Sequence, residues 1–235
     1  MQPTTLTEPR ITTDMKTVFI FERGIMGWES VFGNWKNWPN QAIVWMFKRD
    51  RTPSQTLTYF TGPILAGVTR HWRAKQFAKL IKQYEGWRIV LVAHSEGTAT
   101  GLLAWKLAGY PLIDEVHLIA GACNSDCDRN GINHAVKHAR INKLYSYVAG
   151  RDMAMRLEDT YVGSLCFGLQ CGGTPMGLDG PKNMTPETSR VMTVKRWPRY
   201  GHSDCFLPHN FDSTMLEIIH ENKTTHLGGL RPAVH

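Results

Sequence analysis

Among the residues able to do chemistry, one serine sits in a setting built for it. Ala93-His94-Ser95-Glu96-Gly97 has the form small-x-Ser-x-Gly and separates two stretches of different periodicity. Before it runs Ile89-Val90-Leu91-Val92, too continuously apolar for a half-exposed strand, which reads as a central parallel strand buried on both faces. After it the pattern turns helical, with Leu102, Leu103 and Leu107 along one face. A strand that turns sharply into a helix lifts its serine above the sheet edge. The flanking backbones then pass so close that only small side chains fit at positions 93 and 97. The helix N-terminus aims its free N–H groups at the serine, where they stabilise negative charge on an oxygen. A serine hydroxyl is a poor nucleophile near neutral pH, so the setting calls for a base to take its proton and a carboxylate to orient that base.

These residues resemble the nucleophile elbow of the α/β-hydrolase family, with Ala93 in place of the usual first glycine. The resemblance implies partners in the chain order serine, acid, histidine, each on a loop at the C-terminal end of a strand. Asp152, after Leu144–Val148, and His202, after Val191–Trp197, match that order and position. It thus implies a catalytic triad Ser95–Asp152–His202 working through an acyl-enzyme. It also implies an oxyanion hole made by the Glu96 N–H and one N–H from the loop after the first strand. There Gly24-Ile25 falls on the family's His-Gly turn, with Arg23 standing where the family has histidine, and the Ile25 N–H is the expected donor. Met26 and Trp28 are expected to wall the acyl pocket. No cofactor and no metal are expected.

Other candidates compete for these roles. His94 adjoins the nucleophile, but neighbours in extended backbone point to opposite sides, so it reads as a packing or hydrogen-bonding residue. Asp126 and Asp128 follow the preceding strand and are an alternative source of the acid, whereas Asp204 is too close in sequence to His202 to orient it easily. His134 and His138 lie one helical turn apart without an obvious third metal ligand. His209 and His220 lie past the last strand. The five cysteines, at 123, 127, 166, 171 and 205, are odd in number and spaced outside the tight pairs of structural zinc sites. They read as reduced thiols.

The elements that must position these groups alternate. Strands are expected at Thr17–Phe21, Ala42–Phe47, Ile89–Val92, Val116–Ala120, Leu144–Val148 and Val191–Trp197. Helices are expected at Trp28–Trp38, Leu65–Tyr84 (with Phe77, Leu80, Ile81 and Tyr84 on its buried face), after the elbow, at Asn133–Arg140 and at Asn210–Asn222. Lys48–Pro63 reads as a polar loop, and Gly163–Ser189 as a long excursion bordering a site. Such alternation demands parallel pairing and right-handed crossovers. The expectation is a three-layer α/β/α sandwich of about six mainly parallel strands: a trimmed α/β-hydrolase sheet without the opening antiparallel hairpin, since only 16 residues precede the first strand. One domain is expected over 1–235, with 1–15 and 223–235 as loose termini.

Composition suits a soluble globule: 235 residues, 42% hydrophobic and 20% charged. The formal charge is 27 − 20 = +7, with a pI near 9.2. The basic residues are scattered with no run of five, which reads as a solvated surface and argues against nucleic-acid binding. No stretch approaches the ~20 apolar residues of a membrane span, and the N-terminus lacks a charged start followed by an apolar run, so a cytoplasmic location is expected. The functional expectation is a serine hydrolase of small or medium acyl esters or thioesters. Amidase, peptidase and acyltransferase chemistry use the same residues. The alternative is a catalytically silent scaffold that binds or builds. The oligomeric state is left open.

Overall fold

The computed structural model describes residues 16–24, 37–57, 66–158 and 174–227. Its sheet has six strands: β1 (Thr17–Glu22), β2 (Ser54–Thr56), β3 (Arg88–His94), β4 (Ile113–Ile119), β5 (Ile141–Ala149) and β6 (Met192–Trp197). They lie in the order β2-β1-β3-β4-β5-β6, with every neighbouring pair parallel. The expected sheet of about six mainly parallel strands is thus present among the described residues. Residues 1–15, where a hairpin strand was not expected, lie outside the described residues.

The helices follow from the parallel pairing, which requires a crossover between successive strands. They are α1 (Trp38–Asp50), α2 (Ala66–Gln83), α3 (Glu96–Leu107), α4 (Ile132–Lys137), α5 (Met153–Glu158), α6 (Met176–Asp179), α7 (Pro186–Val191) and α8 (Pro208–Leu227). Strand side chains alternate between faces, so Val18, Ile20, Ile89, Leu91, Val116 and Leu144 meet Phe77 and Ile81 of α2 and Leu102 and Trp105 of α3. On the opposite face Phe19, Phe21, Val90, Val92, Tyr145 and Tyr147 meet Trp38 and Met46 of α1 and Phe211 and Met215 of α8. β3 is buried along its whole length. No described helix is long and apolar enough to cross a membrane.

Two expectations are corrected. Ala42–Phe47 is not a strand but the middle of α1. Its apolar run mixes two environments: Trp38, Ala42 and Met46, one turn apart, are buried, while Val44 and Phe47 are 52% and 65% exposed. Pro39 in the first turn and Lys48 and Arg49 in the last are ordinary helix-end signals. The second strand is instead Ser54-Gln55-Thr56, three residues at the sheet edge inside the segment read as a loop. The supposed helix Trp28–Trp38 lies outside the described residues except for its end, where Trp38 opens α1. The second half of the Gly163–Ser189 excursion is more ordered than its composition suggests, since it carries α6 and the start of α7.

Chain order along the sheet reverses between β1 and β3: β2 lies to one side of β1, while β3 to β6 run out on the other. Loops leaving such a switch point part from each other and open a crevice at the C-terminal ends of the strands. The first turn of α3 closes tightly on β1 there. A Cβ on Gly97 would lie 2.6 Å from the Arg23 carbonyl oxygen and 2.7 Å from that of Glu22. Backbone cannot yield as a flexible side chain does. Gly97→Ala is therefore expected to lower stability by about 1–3 kcal/mol, read as a lower urea midpoint at unchanged m-value.

Candidate active site

Ser95 follows β3 directly and is the residue before α3, with φ 56° and ψ −133°. That left-handed backbone is costly for a residue with a Cβ, and it is held from several sides. The Ser95 N–H donates to the Ile119 carbonyl at the end of β4 (3.0 Å). Its carbonyl accepts the N–H groups of Thr98 (3.0 Å) and Ala122 (3.1 Å) and the Thr98 hydroxyl (2.7 Å). Small neighbours are needed on the β1 side as well, since a Cβ on Gly24 would come within 2.6 Å of the Ser95 Cβ and 2.9 Å of its Oγ. Ala93 is accommodated without crowding on the α3 side: even a Cβ on Gly101 would stand 3.7 Å from the Ala93 methyl, an ordinary contact.

The structure brings Ser95, His202 and Asp152 into one chain of hydrogen bonds. Ser95 Oγ lies 2.8 Å from His202 Nε2, and His202 Nδ1 lies 2.8 Å from Asp152 Oδ2. A carboxylate only accepts, so Nδ1 carries the proton and Nε2 is left to accept from the serine. Asp152 is wholly buried, and its other oxygen accepts the Met155 N–H (2.9 Å), capping α5. Backbone bonds stitch the acid and histidine loops together: the N–H of Gly150 donates to the Trp197 carbonyl and that of Arg151 to the Tyr200 carbonyl, both at 3.0 Å. Asp204 does not touch the histidine ring; its carboxylate accepts the Gly201 N–H (2.7 Å) and shapes the loop.

Glu96 begins α3, where first-turn N–H groups have no intrahelical acceptor. Its side chain faces the protein interior. It is buried in a bidentate pair with Arg73 (2.6 and 2.9 Å), reinforced by Arg70 (2.8 Å) and the Thr100 hydroxyl (3.0 Å). Sequence reasoning missed this pair, although a signal existed: Arg73 lies one turn before Phe77 on the buried stripe of α2, where a cation requires a counter-ion. Beside it, burial first and the Glu96 charge second push the Glu22 carboxyl well above the usual carboxylate range, against Arg73 and Arg23.

Gly24 abuts Ser95, whereas Ile25, Met26 and Trp28 lie outside the described residues. His94 is buried, and its Nε2 lies 2.8 Å from the His202 carbonyl. Asp126 accepts the Asp128 N–H (2.9 Å) and an Asn183 amide N–H (2.9 Å), and Asp128 accepts the Asn133 amide (2.6 Å), so both serve turns around α4. The rings of His134 and His138 lie 4.5 Å apart. No group of three or more metal-ligating side chains occurs among the described residues. Cys123, Cys127 and Cys205 are buried free thiols, and burial pushes Cys127 up to about 12 and Cys205 higher. Cys166 and Cys171 lie outside the described residues.

No protein-family model and no curated protein matches the sequence. Among solved structures, the chain is similar to an uncharacterized protein from Bacillus cereus at 14% identity with a TM-score of 0.51. The match covers 91% of this chain and 61% of that one, so the chain spans less than two thirds of its length. A YdeN-like hydrolase from Pectobacterium atrosepticum (11% identity, TM-score 0.42) is covered over 92% of its length and covers 86% of this chain. A cutinase-like protein from Cryptococcus sp. (13% identity, TM-score 0.41) is covered over 90% of its length, again against 86% of this chain. At such identities a likeness concerns fold alone, and what the protein does must be argued from its side chains.

Removing one partner of a buried ion pair leaves the other charge undercompensated, and without Arg73 the buried Glu96 would keep only Arg70 and Thr100. Arg73→Ala is expected to cost about 3–5 kcal/mol in denaturant unfolding. The double variant Arg73→Met/Glu96→Met, which removes both charges and keeps apolar volume, is expected to cost less than Arg73→Ala alone.

Proposed function

We propose that this protein is a serine hydrolase that cleaves a small or medium acyl ester or thioester through an acyl-enzyme, with Ser95 as nucleophile, His202 as general base and acid, and Asp152 as the carboxylate that holds His202. The observation that carries this reading is the unbroken relay from Ser95 Oγ through His202 to Asp152, with both links at 2.8 Å. His202 Nε2 takes the hydroxyl proton as Oγ attacks the substrate carbonyl, and Asp152 stabilises the imidazolium that forms. The oxyanion is received by the Glu96 N–H at the start of α3, joined by the Ile25 N–H on the sequence argument. The tetrahedral intermediate then expels the alcohol or thiol, which leaves with the proton from His202. Water, deprotonated in turn by His202, attacks the acyl-enzyme and frees the acid and Ser95. Every step uses groups of this chain and water, with no cofactor.

Support for a modest acyl group comes from how the chain is spent. Residues 98–151 are taken up by α3, β4, α4 and β5 and their connections, which leaves no spare helical pair for a large apolar lid. Burying a long chain repays about 0.8 kcal/mol per methylene only where a continuous apolar wall receives it. Met26 and Trp28 remain the proposed wall beside the oxyanion loop.

Two expectations test this reading. A fluorophosphonate probe should label the wild type and not Ser95→Ala, and Asp152→Asn should lower kcat about 10⁴-fold; equal labelling of Ser95→Ala would remove Ser95 as nucleophile. Across nitrophenyl esters, kcat/KM should peak between roughly two and eight acyl carbons, and a steady climb toward roughly sixteen carbons would contradict the modest pocket.

A further inference from the structure

His94 joins the nucleophile's strand to the histidine loop. Its Nε2 lies 2.8 Å from the His202 main-chain carbonyl. A carbonyl only accepts, so His94 donates from Nε2. Burial first, and the His202 charge next, hold its pKa down to about 3, so it stays neutral over any ordinary working range. The ring itself is boxed in. It stands edge-on to Phe206 (centroids 5.0 Å, planes at 85°) and to Trp38 (6.3 Å, 87°), and those two rings stack on each other at 4.1 Å. This anchor belongs to β3, which is buried along its whole length.

We propose that His94 is a positioning residue: by gripping the main chain of His202 from β3, it sets the separation between His202 Nε2 and Ser95 Oγ. The proposal rests on reading His202 as the base. The ring of His202 is oriented by Asp152 at one end and Ser95 at the other, but orientation alone leaves the loop free to shift as a body. The Gly201–Asp204 bond acts within the loop, and the Arg151–Tyr200 bond ties it to the acid's loop. The bond from His94 is the tie to the nucleophile's own strand, one residue from Ser95. A histidine that merely filled space between Trp38 and Phe206 would need no N–H at Nε2. A positioning residue does, because a displacement of about 1 Å between nucleophile and base costs on the order of 10²-fold in rate.

The test compares His94→Gln with His94→Met. The two side chains have nearly the same length and shape, and only glutamine carries a terminal N–H. His94→Met is expected to lower kcat about 10–100-fold with KM little changed, and His94→Gln to recover most of that loss. His94→Phe, which keeps a ring against Trp38 and Phe206, should behave like His94→Met and covers the case in which methionine disturbs folding. In parallel, the downfield NMR signal of the His202 Nδ1 proton shared with Asp152 should be sharp in wild type and His94→Gln and broadened in His94→Met. The NMR readout needs no turnover: a wild type that hydrolyses no ester would sink the hydrolase reading, while the proton signal would still decide the role of His94. Equal kcat and equal proton signals in all three variants and wild type would overturn the proposal, as would equal losses in the glutamine and methionine variants.

Discussion

The structure depends on one strained residue. Ser95 holds φ 56° and ψ −133°, a backbone state that costs on the order of 1–3 kcal/mol for a residue with a Cβ. It persists because three strand ends converge on it. The end of β3 leads into it, the end of β4 accepts its N–H through Ile119 and caps its carbonyl through Ala122, and the end of β1 lies against it through Gly24. Thr98 completes the clamp by donating to the Ser95 carbonyl from its hydroxyl while accepting the Cys123 N–H. Relaxing Ser95 would require moving several of these elements together. The small residues at 24 and 97 are therefore packing requirements of the same turn that presents the hydroxyl.

Charge is handled with similar economy beneath the turn. The side chain of Glu96 is locked by Arg73, Arg70 and Thr100, which fixes the first turn of α3 and with it the direction of its N–H groups. An ion pair buried this deeply is weak evidence for stability, because desolvation offsets the attraction. Its consequence here is geometric. Dipoles held in place before reaction need no reorganisation when negative charge develops on a substrate oxygen. Arg73 and Arg23 oppose, without outweighing, the burial and the Glu96 charge that hold the neighbouring Glu22 carboxyl above the usual carboxylate range.

Much of this was readable from residue order. The continuous apolar run 89–92 means a strand buried on both faces wherever it occurs, and small residues at 93 and 97 are demanded by the turn itself. Asp152 and His202 stood out because each closes a strand on the side where the parallel sheet gathers its loops. The error at Ala42–Phe47 has a physical origin. Six apolar residues in a row carry no period, and the buried spacing Trp38, Ala42, Met46 emerges only when the helix is extended back to Trp38. The true β2 was illegible because Ser54-Gln55-Thr56 is a short polar edge strand whose identity comes from pairing with β1. The partners of His94 and Arg73 were hidden for a related reason: they lie 108 and 23 residues away, and only the fold brings them together.

The account stands on Ser95 forming a covalent bond to substrate, and trapping the acyl-enzyme addresses that bond directly. Wild-type protein mixed with a short-chain nitrophenyl ester and quenched in acid within the first turnovers should gain the mass of one acyl group. Peptide mapping should place that group on the Ser95 hydroxyl, and Ser95→Ala should gain nothing. Rapid ester turnover with no adduct on Ser95, or an acyl group carried by another residue, would contradict the account.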